Sequence, residues 1–119
     1  MPIEVYKGNS KTVIFIIKDQ NEAIVDLTGG NLFFVVKLEV GISGETVFKK
    51  ETESTGLSIS NATGGECTLK LIPGDTKGLI AKEYQYELLV ELPDGGGFDR
   101  YTVEIDTLVV NEVLISIGL

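Results

Sequence analysis

The sequence predicts an all-β fold, a two-layer antiparallel sandwich with about eight or nine strands and one short helical turn. Three observations carry that expectation. In residues 84–92 the apolar side chains of Tyr84, Tyr86, Leu88, Val90 and Leu92 alternate with Gln85, Glu87 and Glu91, and a period of two sends these sets to opposite sides of a strand. Similar runs recur along the chain at spacings of roughly 8 to 12 residues, separated by clusters of Gly, Asn, Asp, Ser and Thr that suit tight turns. Long stretches of helical periodicity are absent, so sheets must bury the core.

Strands are expected near 2–7, 11–18, 32–40, 46–51, 57–60, 66–72, 84–92, 100–110 and 113–118, in one domain spanning 1–119. The loops between them, such as Gly8-Asn9, Asp19-Gln20-Asn21, Thr28-Gly29-Gly30-Asn31 and Asp94-Gly95-Gly96-Gly97, are short, so consecutive strands are expected to be mostly antiparallel. The third run sets Leu32, Phe34, Val36, Leu38 and Val40 on one side, with Lys37 and Glu39 outward, and so forms a second central strand. Residues 73–81 lack alternation, and Asp75 is placed there as the N-cap of a single helical turn that crosses between sheets. A helical turn ahead of a Tyr-x-Tyr strand is a common corner of immunoglobulin-like sandwiches, with Tyr84 bonding the preceding loop through its hydroxyl. The expected core is Phe15, Phe34, Val36, Leu69, Leu71, Tyr84, Tyr86, Leu88, Val90, Val103 and Ile105, with Cys67 packed beside Leu69 and Leu71.

Two runs break the half-buried pattern. Val13-Ile14-Phe15-Ile16-Ile17 and Leu114-Ile115-Ser116-Ile117-Gly118-Leu119 are apolar on both sides, or nearly so. A sandwich leaves one side of each strand to water, so such strands need either a covering loop or a partner chain. Ile14, Ile16, Leu114, Ile115 and Ile117 are therefore the candidate interface residues, and the expected partner is a second copy of the chain or another protein.

The chemistry available to the chain is narrow. With 18 Asp and Glu against 10 Lys and Arg, the net charge of −8 disfavours a phosphate backbone, so no nucleic acid is expected. No apolar run approaches the roughly 18 residues of a membrane span. The N-terminus shows no basic segment followed by a long apolar one, so no secretory signal is read and synthesis in the cytoplasm is expected. Histidine is absent, which removes Ser-His-Asp and Cys-His catalysis and most zinc sites, and no catalytic, cofactor or metal residue is assigned. The pairs Glu51 and Glu53, Glu87 and Glu91, and Glu104 and Asp106 are placed on outward sides of strands. Asp19, Asn21, Asp26, Asp75, Asp94 and Asp99 have the oxygen chemistry of calcium ligands, yet no calcium-loop spacing joins them, and they are expected to bond turn backbones. The glycine-rich turns lack the Lys-Ser/Thr of a phosphate loop, and Asn61-Ala62-Thr63 reads as a coincidental glycosylation triplet. There is no tryptophan, and only Tyr6, Phe48, Phe98 and Tyr101 remain as surface aromatics for a carbohydrate partner.

One series of motifs resembles a known group. Ile3-Glu4-Val5-Tyr6-Lys7-Gly8-Asn9-Ser10-Lys11-Thr12-Val13-Ile14-Phe15 is followed by Val25-Asp26-Leu27-Thr28-Gly29 and then by Phe33-Phe34-Val35-Val36-Lys37. Asp75-Thr76, Tyr84-Gln85-Tyr86-Glu87-Leu88 and Pro93-Asp94-Gly95 complete it. In order and spacing the series resembles the N-terminal immunoglobulin-like domain of upper baseplate proteins from siphophages of Gram-positive bacteria, over most of the chain. The resemblance implies a non-catalytic module of a phage or prophage tail that ends up in the virion and mediates assembly with copies of itself or other tail proteins. The alternative reading is a cell-surface or carbohydrate-binding sandwich.

Overall fold

The structure, a computed structural model, describes residues 2–38, 46–52 and 56–113. Among these, the elements run β1 (Ile3–Tyr6), β2 (Lys11–Ile16), β3 (Asn31–Lys37), β4 (Thr46–Glu51), β5 (Leu57–Asn61), β6 (Glu66–Leu71), α1 (Pro73–Thr76), β7 (Lys82–Asp94) and β8 (Gly97–Asn111). A five-stranded sheet ordered β1-β8-β7-β3-β4 packs on a three-stranded sheet ordered β2-β6-β5, which is the expected sandwich. All strand pairs are antiparallel except one. β1 lies parallel to β8, because the chain leaves β1 through the turn at Gly8 and enters β2 in the opposite sheet.

Phe15, Phe34, Val36, Leu69, Leu71, Tyr84, Tyr86, Leu88 and Val90 are buried as expected, and so is Cys67. Phe34 and Tyr86, neighbours on β3 and β7, stack with centroids 5.1 Å apart, while Phe15 meets Tyr86 from the other sheet at 6.4 Å. Of the two contacts, the one between Phe15 and Tyr86 crosses the layers. The Tyr84 hydroxyl donates to the Ile80 carbonyl at 2.7 Å, forming the corner expected ahead of β7.

The helical turn forms, but Asp75 is not its N-cap. Pro73 takes the first helical position, where its fixed φ and missing N–H cost nothing, so Ile72 becomes the cap residue and Asp75 falls at the third position. From there its carboxylate accepts the Ile72 N–H at 2.8 Å and also lies 2.7 Å from the Lys50 ammonium, in an ion pair that is almost entirely buried. Thr76 beside it is fully buried and accepts the Gly8 N–H at 2.9 Å, which ties the β1–β2 turn to the crossover.

Ile105 is not in the core. It is 53% exposed, because β8 carries an extra residue: pairing runs from Leu88 with Glu104 directly to Leu89 with Thr102, leaving Val103 as a bulge. An inserted residue reverses the side that alternate positions face. C-terminal to the bulge, Glu104, Asp106, Leu108 and Val110 therefore share the inner side with Tyr84 and Tyr86. Leu108 and Val110 are buried there, whereas Val103 is only partly buried against the core. β7 and β8 also extend beyond their expected ranges into a long hairpin, closed by Gly95 and Gly96 with φ of +57° and +98°, the mirror-image turn that matches strand twist. Leu38, just past the end of β3, is 40% exposed, and Val40 lies outside the described residues.

Candidate interface

β2 presents the first candidate surface. Val13, Phe15 and Ile17 enter the core, so strand alternation turns Ile14 and Ile16 outward, where they are 56% and 47% exposed. On one edge β2 pairs with β6, setting Ile14 opposite Thr68 and Ile16 opposite Glu66. On its other edge no strand stands among the described residues, so a row of backbone N–H and C=O groups lies beside the two isoleucines. The far end of this strand is fixed by Gly65, whose carbonyl accepts the Ile17 N–H at 2.8 Å. Its φ is +65°, and a Cβ there would stand 2.9 Å from the carbonyl oxygens of Ile17 and Val25, so glycine is required on both counts. Leu114, Ile115 and Ile117 lie outside the described residues.

A second apolar surface escaped the sequence reading. On the outer side of the five-stranded sheet, Phe33 pairs with Leu89, Val35 with Glu87, and Glu87 with Ile105. The signal is present in the sequence, since residues 32–36 and 88–90 are apolar on both sides as well. The two runs singled out above are thus not the only ones of that kind.

The polar groups are occupied with structural tasks. Asp19 accepts the N–H groups of Asn21 and Ala23, and Asp26 accepts both the N–H and the hydroxyl of Thr28, which also holds its carboxyl below the usual carboxylate range. Thr102 donates to Glu87 at 2.6 Å, and Arg100 bridges to Glu91 at 2.6 Å. Glu104 differs from expectation. Because of the bulge it faces inward and accepts the Tyr86 hydroxyl at 2.5 Å, while burial, reinforced by Glu104, pushes that phenol far above its ordinary range. Glu53 lies outside the described residues.

Among the described residues, Asp94 is the one carboxyl with a raised pKa, through its hydrogen bond to Asp99 and repulsion from it, but both sit in open water at the hairpin tip. A general acid needs a carboxyl kept neutral by burial near an ionised one, and this pair lacks the burial. Burial, chiefly, pushes the Cys67 thiol up to about 12, so it is neutral at pH 7 and no nucleophile. No group of three or more potential metal ligands occurs among the described residues. EDTA is accordingly expected to leave the melting temperature unchanged; a fall that added calcium reverses would reveal a bound ion.

A shallow groove of about 750 Å³ opens between the β2–β3 connection and the hairpin, lined by Ile17, Val25, Val90, Leu92, Tyr101 and Val103 among others. Tyr101 is 52% exposed on this inner side, but Phe98, 58% exposed, pairs with Pro93 on the outer side. The two aromatics therefore share no stacking platform. Phe48 is partly buried against the core, and no helix among the described residues is long and apolar enough to cross a membrane.

No family model matches the sequence, and no curated protein matches it. Among solved structures, the N-terminal domain of phage TP901-1 ORF48 is similar over 93% of this chain and 85% of that chain, with a TM-score of 0.61 and 10% identity. The likeness is one of fold, and it falls on a domain of the kind the sequence resembles.

Proposed function

We propose that this chain is a non-catalytic structural module of a phage or prophage tail or baseplate, which docks on other tail proteins, on copies of itself, or on both. The observation that carries the reading is the edge of β2 that pairs with no other strand among the described residues, with Ile14 and Ile16 exposed beside it. Apolar side chains next to unpaired strand backbone suit addition of a strand from another chain, the backbone giving affinity and alternate side chains giving selectivity. Leu114, Ile115 and Ile117 are proposed as an alternative contact run on their sequence alone. The motif series and the fold likeness to a phage domain support the setting, and with it a place in the virion. The carbohydrate-binding alternative draws less support, since Phe98 and Tyr101 lie on opposite sides of the hairpin and Tyr6, also exposed, stands apart on β1.

Replacing Ile16 with Lys tests this. The side chain is half exposed, so folding stability is expected to change by about 0.5 kcal/mol or less, measured by urea denaturation. Docking should weaken sharply, because a lysine is tolerated in water but excluded from an apolar interface core. Binding is read by light scattering of the protein alone and by co-purification with products of the genes adjacent to its own. A chain that stays monomeric at high micromolar concentration and retains none of those products would sink the proposal.

A further inference from the structure

Asp94 and Gly95 form the only Asp-Gly step in the chain, and no Asn-Gly step occurs. They stand where the β7–β8 hairpin turns. Asp94 pairs with Gly97 as the last rung of the ladder, and Gly95 and Gly96, both exposed, make the loop above it. Gly95 carries no side chain, and nothing lies within 4 Å of where a Cβ would stand, so its backbone nitrogen is open to approach. Its N–H has no acceptor among the described residues. Strand alternation sets Asp94 on the same side of the hairpin as Asp99 and Tyr101. The two carboxyls share a hydrogen bond, and the Tyr101 hydroxyl donates to Asp99 at 3.3 Å. Arg100, between Asp99 and Tyr101, turns to the other side and bridges to Glu91, so it neutralises neither carboxyl.

A carboxyl that can hold its proton, next to an unhindered amide nitrogen, is the arrangement that closes a five-membered imide. From this we infer that Asp94-Gly95 is a site of spontaneous backbone modification, at which the chain is re-formed as an isoaspartyl linkage with Asp99 supplying the acid. In the first step the Gly95 nitrogen bonds to the Asp94 Cγ, and the amide proton and the Asp94 hydroxyl leave together as water, giving a succinimide. Asp99 gives the leaving hydroxyl its proton and recovers one from the nitrogen. Water then adds back at one of the two imide carbonyls. Opening at Cγ restores aspartate, whereas opening at the main-chain carbonyl carbon leaves the backbone running through Cβ and Cγ, one carbon longer, with the carboxylate as a side group. The bond to Asp99 and repulsion from it keep the Asp94 carboxyl above the usual carboxylate range, so the acid form that can lose water persists to higher pH. An extended Asp94 holds nitrogen and Cγ apart, so the tip must open first; two exposed glycines without packed neighbours make that opening local and low in cost. A slow reaction within the chain asks less of the pair than turnover of a bound substrate, for which it lacks the burial. The added carbon no longer suits a tight turn matched to strand twist, so the last rungs, Asp94 with Gly97 and Pro93 with Phe98, should loosen. The site lies in the five-stranded sheet and is independent of the docking proposed for β2.

Prolonged incubation of the full chain in mildly acidic buffer tests the site. Trypsin then releases residues 83–100 as one peptide, in which isoaspartate is detected by methyl transfer from an isoaspartyl methyltransferase and located by fragmentation. Isoaspartate is expected to accumulate at Asp94 and not at Asp19, Asp26, Asp75, Asp99 or Asp106. Asp99→Asn keeps a hydrogen-bonding group without a proton to give; it should slow the reaction several-fold in the folded chain and leave it unchanged in urea, where the two residues are no longer held together. Asp94→Glu can close only a six-membered ring and should abolish the product, with circular dichroism confirming that both variants are folded. A folded chain without isoaspartate at Asp94, isoaspartate spread equally over the other aspartates, or an Asp99→Asn chain that reacts as fast as the unmodified one would each overturn the inference.

Discussion

Replacing Asp75 with Ala is expected to destabilise the fold by about 3 to 5 kcal/mol, the cost of leaving a buried charge without its partner. Lys50 points inward from β4, opposite Phe34, and its side chain is only 5% exposed, with Asp75 at 15%. Gly56, at φ +101°, closes over it: a Cβ there would stand 3.4 Å from the Lys50 nitrogen. With the carboxylate gone, that ammonium must lose its proton, draw water inward or swing out past Gly56. The Ile72 N–H at the start of α1 loses its acceptor in the same change. Asp75→Asn separates the two effects, since the amide oxygen can still accept from Ile72 while the charge is lost. Pairing Asp75→Asn with Lys50→Met should recover most of the stability, because two neutral groups of similar shape carry no uncompensated charge. Urea denaturation decides the matter. A loss under about 1 kcal/mol for Asp75→Ala would mean that Lys50 already reaches solvent.

The ion pair also shows where the sequence was legible and where it was not. Alternation declares the inner side where it is unbroken: Tyr84, Tyr86 and Leu88 face inward against Gln85 and Glu87, whereas in β3 the run Leu32–Val36 is apolar throughout and only Lys37 marks which side is outward. Lys50 sits in Phe48-Lys49-Lys50-Glu51, a run that reads as a solvated edge, and only the pairing of β4 with β3 reveals that this lysine faces in. Asp75 reads from the sequence as an N-cap but stands at the third helical position, because Pro73 shifts the helix start in a way that cap statistics alone do not resolve. Ile14 and Ile16 were found because they interrupt an alternation with apolar residues where polar ones belong. Phe33, Val35 and Leu89 do the same, but in strands whose inward residues already account for their apolar character.

Leu88→Ala is expected to cost about 2 to 5 kcal/mol, through lost burial and the cavity left behind. Ile105→Ala, by contrast, should fall within about 0.5 kcal/mol of the unmodified protein. The contrast tests the bulge itself, since simple alternation along β8 puts Ile105 in the core, whereas the observed register puts it outside. Leu88 is fully buried between Phe34 on β3 and Glu104 on β8, at the last pair before the register shifts. Phe34 is stacked on Tyr86 and Tyr86 is held by Glu104, so its neighbours cannot easily collapse into the space a leucine leaves. That constraint argues for the upper half of the range. Leu88→Met, which keeps the volume, should cost less than about 1.5 kcal/mol. In urea denaturation, an unchanged m-value with a lowered midpoint would assign the Leu88 loss to native packing. Equal costs for Leu88→Ala and Ile105→Ala would place both residues inside, remove the extra residue at Val103 and return Glu104 to solvent.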